Sequence, residues 1–286
     1  MDEYVRSDLA CECGAIDEEE RDATFREEER CGFRVQCLEI KSEAAAKRIG
    51  REVGRYVTVD VGRIWEEMPQ KQEEAENVIG EGIKETAKRL GYKSGGDVLV
   101  CGLGNRLLTA DSLGPLCADG VLVTRQVKET NGYLFDTLHH ESVASVSPGV
   151  APQTGMETAD ILLGICEKLR PALVIVVDAL AARDTARLAT TVQLCDRGLA
   201  PGSGVGGRRV PIDRETLGVP VMSLGAPTVV DSVTLVRDAL EKAGVGEREA
   251  ILGKVKGFFV SPGDADAAVA CLASILSRAI DFAFSI

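Results

Sequence analysis

Two aspartates carry the chemistry that this sequence can most readily support. Asp111 lies downstream of the apolar run DVLVC (97–101), past Gly102-Leu103-Gly104-Asn105 and just ahead of Ser112-Leu113-Gly114-Pro115. Asp178 directly follows LVIVV (173–177) and opens Asp178-Ala179-Leu180-Ala181-Ala182-Arg183. Continuous apolar runs of this length are expected to be strands buried on both faces. Ligands in open α/β sheets bind beyond the carboxyl ends of the strands, so both aspartates are expected at one rim. Two neighbouring carboxylates cannot both ionise cheaply, so one keeps a proton while the other stays charged. The charged one can take a proton from water attacking a peptide carbonyl, and the neutral one can protonate the leaving amine. Each aspartate also has a structural use: Asp111 as a helix cap, Asp178 as an acceptor for backbone N–H groups in the following turn.

Other chemistries find fewer parts. Nucleophilic triads need a histidine, and the chain has only His139 and His140, adjacent in a polar stretch, with no GxSxG elbow. Cys11 and Cys13 form a CxC without a second pair at zinc-site spacing. Gly102-Leu103-Gly104-Asn105 lacks the third glycine of a dinucleotide loop. The glycine-rich stretch 201–209, PGSGVGGRR, has no GK[ST] ending and reads as a mobile or substrate-gripping loop with two positive charges. No metal and no organic cofactor is expected.

The elements that must position the aspartates follow from periodicity. Around 35–61 the sequence predicts two strands about a helix at 42–53, and apolar spacing over 68–91 predicts an amphipathic helix ending at Gly91. Then a βα pattern repeats: a strand at 97–101, the loop GLGNRLLTADSLGP (102–115) and a helix through about Gln126, a helix at 158–169, a strand at 173–177, a strand at 219–224 and a helix at 229–243. Residues 17–30, DEEERDATFREEER, read as a solvated surface helix or mobile arm. Strands alternating with helices predict an α/β fold of three layers, α/β/α, around a mainly parallel sheet, as a single domain over 1–286.

Composition narrows the function. The 286 residues are 45% apolar and carry a net charge of −12, so direct nucleic-acid binding is not expected. The apolar stretch 265–275 is too short to span a bilayer, and the N-terminus lacks a secretion signal, so no membrane partner is expected. Nine cysteines, mostly in apolar runs, fit reduced thiols in a cytoplasmic protein.

At these residues the sequence resembles the germination protease family of endospore-forming bacteria. The resemblance runs through SDLACE (7–12), GRYVTVD (54–60), DVLVCGLGNRLLTADSLGP (97–115), SVSPGVAPQTGMETADI (145–161), 174–209, ETLGVPVMSLGAPTVVDSVT (215–234) and FVSPGDADAAV (259–269), in the family's order. It implies a fold shared with hydrogenase maturation proteases. It also implies an aspartate-dependent endopeptidase that initiates degradation of small acid-soluble spore proteins in the spore core. Such enzymes are made as self-processed zymogens and assembled as homotetramers. The family's active-site aspartates map onto Asp111 and Asp178. Its cleavage pattern, an acidic residue, a large apolar one, Ala, a small residue and Glu, maps onto Asp8-Leu9-Ala10-Cys11-Glu12. That places the autoprocessing site between Asp8 and Leu9, with 1–8 as the candidate propeptide. The insertion that the family carries before its C-terminal segment is reduced here to EKAGVGEREAILGKVKG. Two alternatives share the scaffold: a maturation-type protease that recognises a bound metal, and a non-catalytic binding protein.

Overall fold

The computed structural model describes residues 7–13, 22–202, 209–246 and 248–286. Residues 1–6 of the candidate propeptide, 17–21 of the charged segment and 203–208 of the glycine-rich loop lie outside the described residues. The chain begins with β1 (Ala23–Arg30), β2 (Phe33–Ile40), α1 (Glu43–Ile49) and β3 (Gly54–Asp60). Next come α2 (Pro69–Arg89), β4 (Val98–Gly102), α3 (Leu113–Gly120), α4 (Arg125–Thr130), α5 (Gly132–Thr137) and β5 (Val143–Val146). α6 (Ala151–Thr154) and α7 (Thr158–Leu169) precede β6 (Leu173–Ala182) and β7 (Thr191–Cys195). Last are α8 (Arg214–Leu217), β8 (Val221–Asp231), α9 (Ser232–Lys242), α10 (Arg248–Leu252), β9 (Phe259–Val260) and α11 (Ala265–Phe284).

The strands form one sheet in the order β1-β2-β3-β7-β8-β6-β4-β5, with β9 added to β8. The half that carries the aspartates, β5-β4-β6-β8, is parallel. The other half continues antiparallel through β7, β3, β2 and β1. Successive residues of β4 and β6 point to opposite faces, and both faces are covered. Val98, Val100, Ile175 and Val177 pack with Ile79 and Ile83 of α2, Leu113 of α3 and Leu272, Ile275 and Leu276 of α11. Leu99, Cys101, Val174 and Val176 pack with Ala159, Leu162 and Cys166 of α7. That gives the three-layer α/β/α class, and it explains why both strands read as unbroken apolar runs.

Five elements differ from the sequence expectation. Residues 23–30 form neither helix nor arm but the edge strand β1, in register with β2 from Ala23↔Ile40 to Arg30↔Phe33. Its charged residues face solvent and pair across the strands, Gln36 donating to Glu27 at 2.9 Å, which suits an edge. The helix after Asp111 stops at Gly120 rather than near Gln126, because Thr124 is drawn to β5: its N–H donates to Val143 and its hydroxyl to Glu141. β6 and β8 run several residues past their predicted ends. The apolar stretch 265–275 belongs to the 20-residue α11, which by length and composition alone could cross a membrane. In the fold α11 is a core helix, packed against α2 and α3.

Candidate active site

The loop after β4 and the extension of β6 bring Asp111 and Asp178 to one cavity of about 500 Å³, which Asp8, Gly104, Ala179 and Arg209 also line. Asp111 ends the 3-10 turn Thr109–Asp111, and Ser112 stands at the cap of α3, so Asp111 is not the cap residue. Its Oδ2 instead accepts the Asn105 N–H at 2.8 Å. Asp178 lies inside β6, opposite Gly225 of β8, rather than at a strand end. Pairing with β4 stops one residue earlier, at Gly102↔Val177, so Asp178 sits just past the end of its shorter neighbour. This restores the rim geometry expected of a strand end, by a different route. Asp178 is 7% exposed, and its Oδ1 accepts the Ala179 N–H at 2.9 Å.

Close backbone packing makes this meeting possible. A Cβ on Gly104, whose φ is +112°, would lie 2.1 Å from the Asp111 carbonyl oxygen. One on Gly225 would lie 2.4 Å from the Asp178 carbonyl oxygen, and one on Gly114 would lie 2.4 Å from that of Val177. No real Cβ tolerates such distances, so these glycines let the two carboxylate-bearing segments approach. Thr228 adds a tie from β8, its hydroxyl donating to the Ala110 carbonyl at 2.5 Å.

The electrostatics fall unevenly on the two acids. Burial, then the charges of Asp111 and Asp8, drives the Asp178 carboxyl well above the usual carboxylate range, against the Ala179 N–H and the Arg209 guanidinium. Burial also raises Asp111, while the Asn105 N–H and Arg209 hold it down. Both acids are raised, Asp178 with Asp111 and Asp8 as the charges beside it, so the pair holds a proton to higher pH than free carboxylates would.

The chain's own N-terminal segment borders this cavity at Asp8. The Asp8 N–H donates to the Ala181 carbonyl at 2.8 Å, and the Ala181 N–H donates to Asp8 Oδ2 at 2.8 Å. Leu9 is fully buried among Leu180, Ala182, Leu188 and Val230. The Glu12 side chain, 5% exposed, accepts the N–H groups of Arg183 and Asp184 at 2.7 and 2.8 Å and the Ser7 hydroxyl, with Arg187 at 3.8 Å. Gln193 of β7 spans the Asp8–Leu9 peptide: its Nε2 donates to the Asp8 carbonyl at 3.0 Å and its Oε1 accepts the Ala10 N–H at 2.6 Å. A second cavity, of about 280 Å³, lies along Gln193 and Arg51 and shares Asp8, Asp178 and Gly202 with the first.

Of the residues singled out in the sequence, Asp111, Asp178 and Asp8 meet in one cavity, while Leu9 turns into its own recess. Pro201, Gly202 and Arg209 reach the cavity from the ends of the glycine-rich loop. His140 is buried elsewhere, its ring nitrogens at the carbonyls of Glu141 and Asp281. Among the described residues no three His, Cys, Asp or Glu side chains gather as a metal-ligand set. Gln193 escaped the sequence reading, although a lone glutamine in the apolar strand TVQLC signals a buried amide that must find partners.

A family model described as germination protease matches residues 7–243. The chain is 41% identical over 239 residues to the germination protease of Caldanaerobacter subterraneus subsp. tengcongensis, covering 83% of this chain and 72% of that protein. It is 38% identical to those of Bacillus pumilus and Priestia megaterium, covering 83% of this chain and 66% of each of them. Among solved structures, the [NiFe] hydrogenase maturation protease HycI from Thermococcus kodakarensis matches with a TM-score of 0.38 at 16% identity, over 70% of this chain and 98% of that one.

Proposed function

The chain belongs to the germination protease family, and from that premise we propose that it is an endopeptidase whose Asp111 and Asp178 together activate water against a peptide bond. One observation carries the reading: two carboxylates from separate elements line a single cavity with their ionisations pushed upward, and the chain's own Asp8, which precedes the Asp8–Leu9 bond, lines the same cavity. In the working state one proton is held between the pair. Asp111 takes a proton from the attacking water, and Asp178 gives its own to the leaving nitrogen. Such general acid–base work contributes typically ~10²–10⁴-fold.

The docked segment supports a zymogen that cuts itself between Asp8 and Leu9. Small acid-soluble spore proteins are the proposed substrates, degraded during germination in the cytoplasm of the spore core by a homotetramer. The test is incubation of the purified chain with a spore-protein mixture, with N-terminal sequencing of the chain itself after mild acidification. Fragments from the mixture and a new terminus at Leu9 are expected, both unaffected by a chelator and both absent in Asp111→Asn and Asp178→Asn. Full activity in either variant would rule out the pair, and loss of activity with a chelator would favour a metal-dependent protease.

A further inference from the structure

Several side chains hydrogen-bond the backbone around the Asp8–Leu9 bond: the Ser7 hydroxyl accepts the Leu9 N–H at 3.0 Å, Arg51 Nη2 donates to the carbonyls of Ser7 and Leu9, and of these only Gln193 donates to the Asp8 carbonyl. Gln193 is 7% exposed, in β7, with Leu194 and Cys195 paired to β8 beside it. The orientation of its amide is fixed by its partners: the Asp8 carbonyl can only accept, so it faces Nε2, and the Ala10 N–H can only donate, so it faces Oε1. One planar group therefore holds the carbonyl before the Asp8–Leu9 bond and the N–H one residue beyond it. Anchoring of the segment is already supplied by the Leu9 recess, the Ala181 pairing and the two N–H groups on Glu12.

We propose that Gln193 is a catalytic residue of this protease: its Nε2–H stabilises the oxyanion that forms on the carbonyl of the cleaved bond, while its Oε1 fixes the register of the peptide. The inference rests on the proteolytic reading above. Water adds its oxygen to the carbonyl carbon and gives a proton to Asp111. The carbonyl π electrons move onto oxygen, where the Gln193 N–H meets them. Collapse of this intermediate breaks the C–N bond, and the nitrogen takes the proton from Asp178, leaving the pair with one proton as before. A donor already in place in a water-poor site needs no reorganisation as charge develops, and removing one such donor typically costs about 10²–10³-fold in kcat.

The test compares Gln193→Glu and Gln193→Met with the wild-type full chain, following self-cleavage by intact mass and cleavage of a peptide carrying residues 3–16. Gln193→Glu keeps the acceptor for the Ala10 N–H but turns the donor into a repelling oxygen. Its kcat is expected to fall about 10²–10³-fold at neutral pH, with a much smaller change in KM. Part of that loss should return as the pH is lowered and the new carboxyl takes up a proton. Gln193→Met, close in shape without a donor, should show the same loss and no recovery at low pH. Either variant cutting within threefold of wild type, while Asp178→Asn is inactive, would reduce Gln193 to a structural tie. Should the wild type cut neither its own bond nor the peptide, the proteolytic reading would fall, and the assignment of Gln193 with it.

Discussion

Gly104→Ala tests how closely the two carboxylates must be held. The added Cβ would sit 2.1 Å from the Asp111 carbonyl oxygen and 2.9 Å from its Oδ1. Carbon and oxygen in contact need about 3.3 Å, so the Asp111 turn must retreat by about 1 Å. Its φ of +112° adds a backbone cost of about 1–3 kcal/mol for any residue with a side chain. That strain is local and affordable in a sheet of nine strands, so the variant should fold. Catalysis is more sensitive, because a misplacement of about 1 Å can cost ~10²-fold. The expected result is a drop of about 10²-fold in kcat/KM for a peptide of residues 3–16, with a far-ultraviolet circular dichroism spectrum like that of the wild type. A Gly104→Ala enzyme of wild-type activity would mean that the position of Asp111 does not govern the rate.

Three further outcomes follow from the same geometry. Because burial raises the ionisation of Asp178 in the fold, the unfolded chain gives up this proton first as pH rises; stability is lost between the ordinary carboxylate range and the raised ionisation of Asp178. Asp178→Asn should therefore melt higher than wild type at neutral pH, with the difference vanishing below about pH 4, as a melting series would show. Arg209→Gln removes a charge that lowers both carboxylates, so the alkaline limb of the pH–rate profile should move to higher pH; an unmoved limb would exclude Arg209 from the site's field. Glu12→Gln gives up charge-assisted bonds worth about 1.5–3 kcal/mol, so exchange of the Asp8 amide hydrogen should quicken by about 10–100-fold, and unchanged exchange would mean that the Glu12 clamp does not hold the segment.

The strands that carry the aspartates were legible because Leu99, Val100, Val174 and Val176 are buried on both sides and leave no gap in the apolar text. The ends of those strands were not. Ala179, Ala181 and Ala182 are small and give no strand signal around Leu180, and Gly225 and Pro227 read as breaks although β8 continues through them. Asp178 was thus found for the right neighbourhood and the wrong position within its strand. β1 was hidden because an edge strand tolerates charges that look like a solvated helix. The clamp on Glu12 and the amide of Gln193 join residues more than 170 positions apart, a separation at which local pattern carries no information.

Between Leu180 and Ala181 the pairing of β6 with β8 slips by one place, leaving Thr228 opposite nothing. That supernumerary residue turns two jobs into one. The irregularity lies where Ala181 grips Asp8, and the unpaired Thr228 reaches down to brace the turn before Asp111. The length of β8 thus sets, at a single point, both where the chain's own Asp8 is laid and where Asp111 stands. Deleting or inserting one residue there would move Asp8 and Asp111 together, and neither could be repositioned alone.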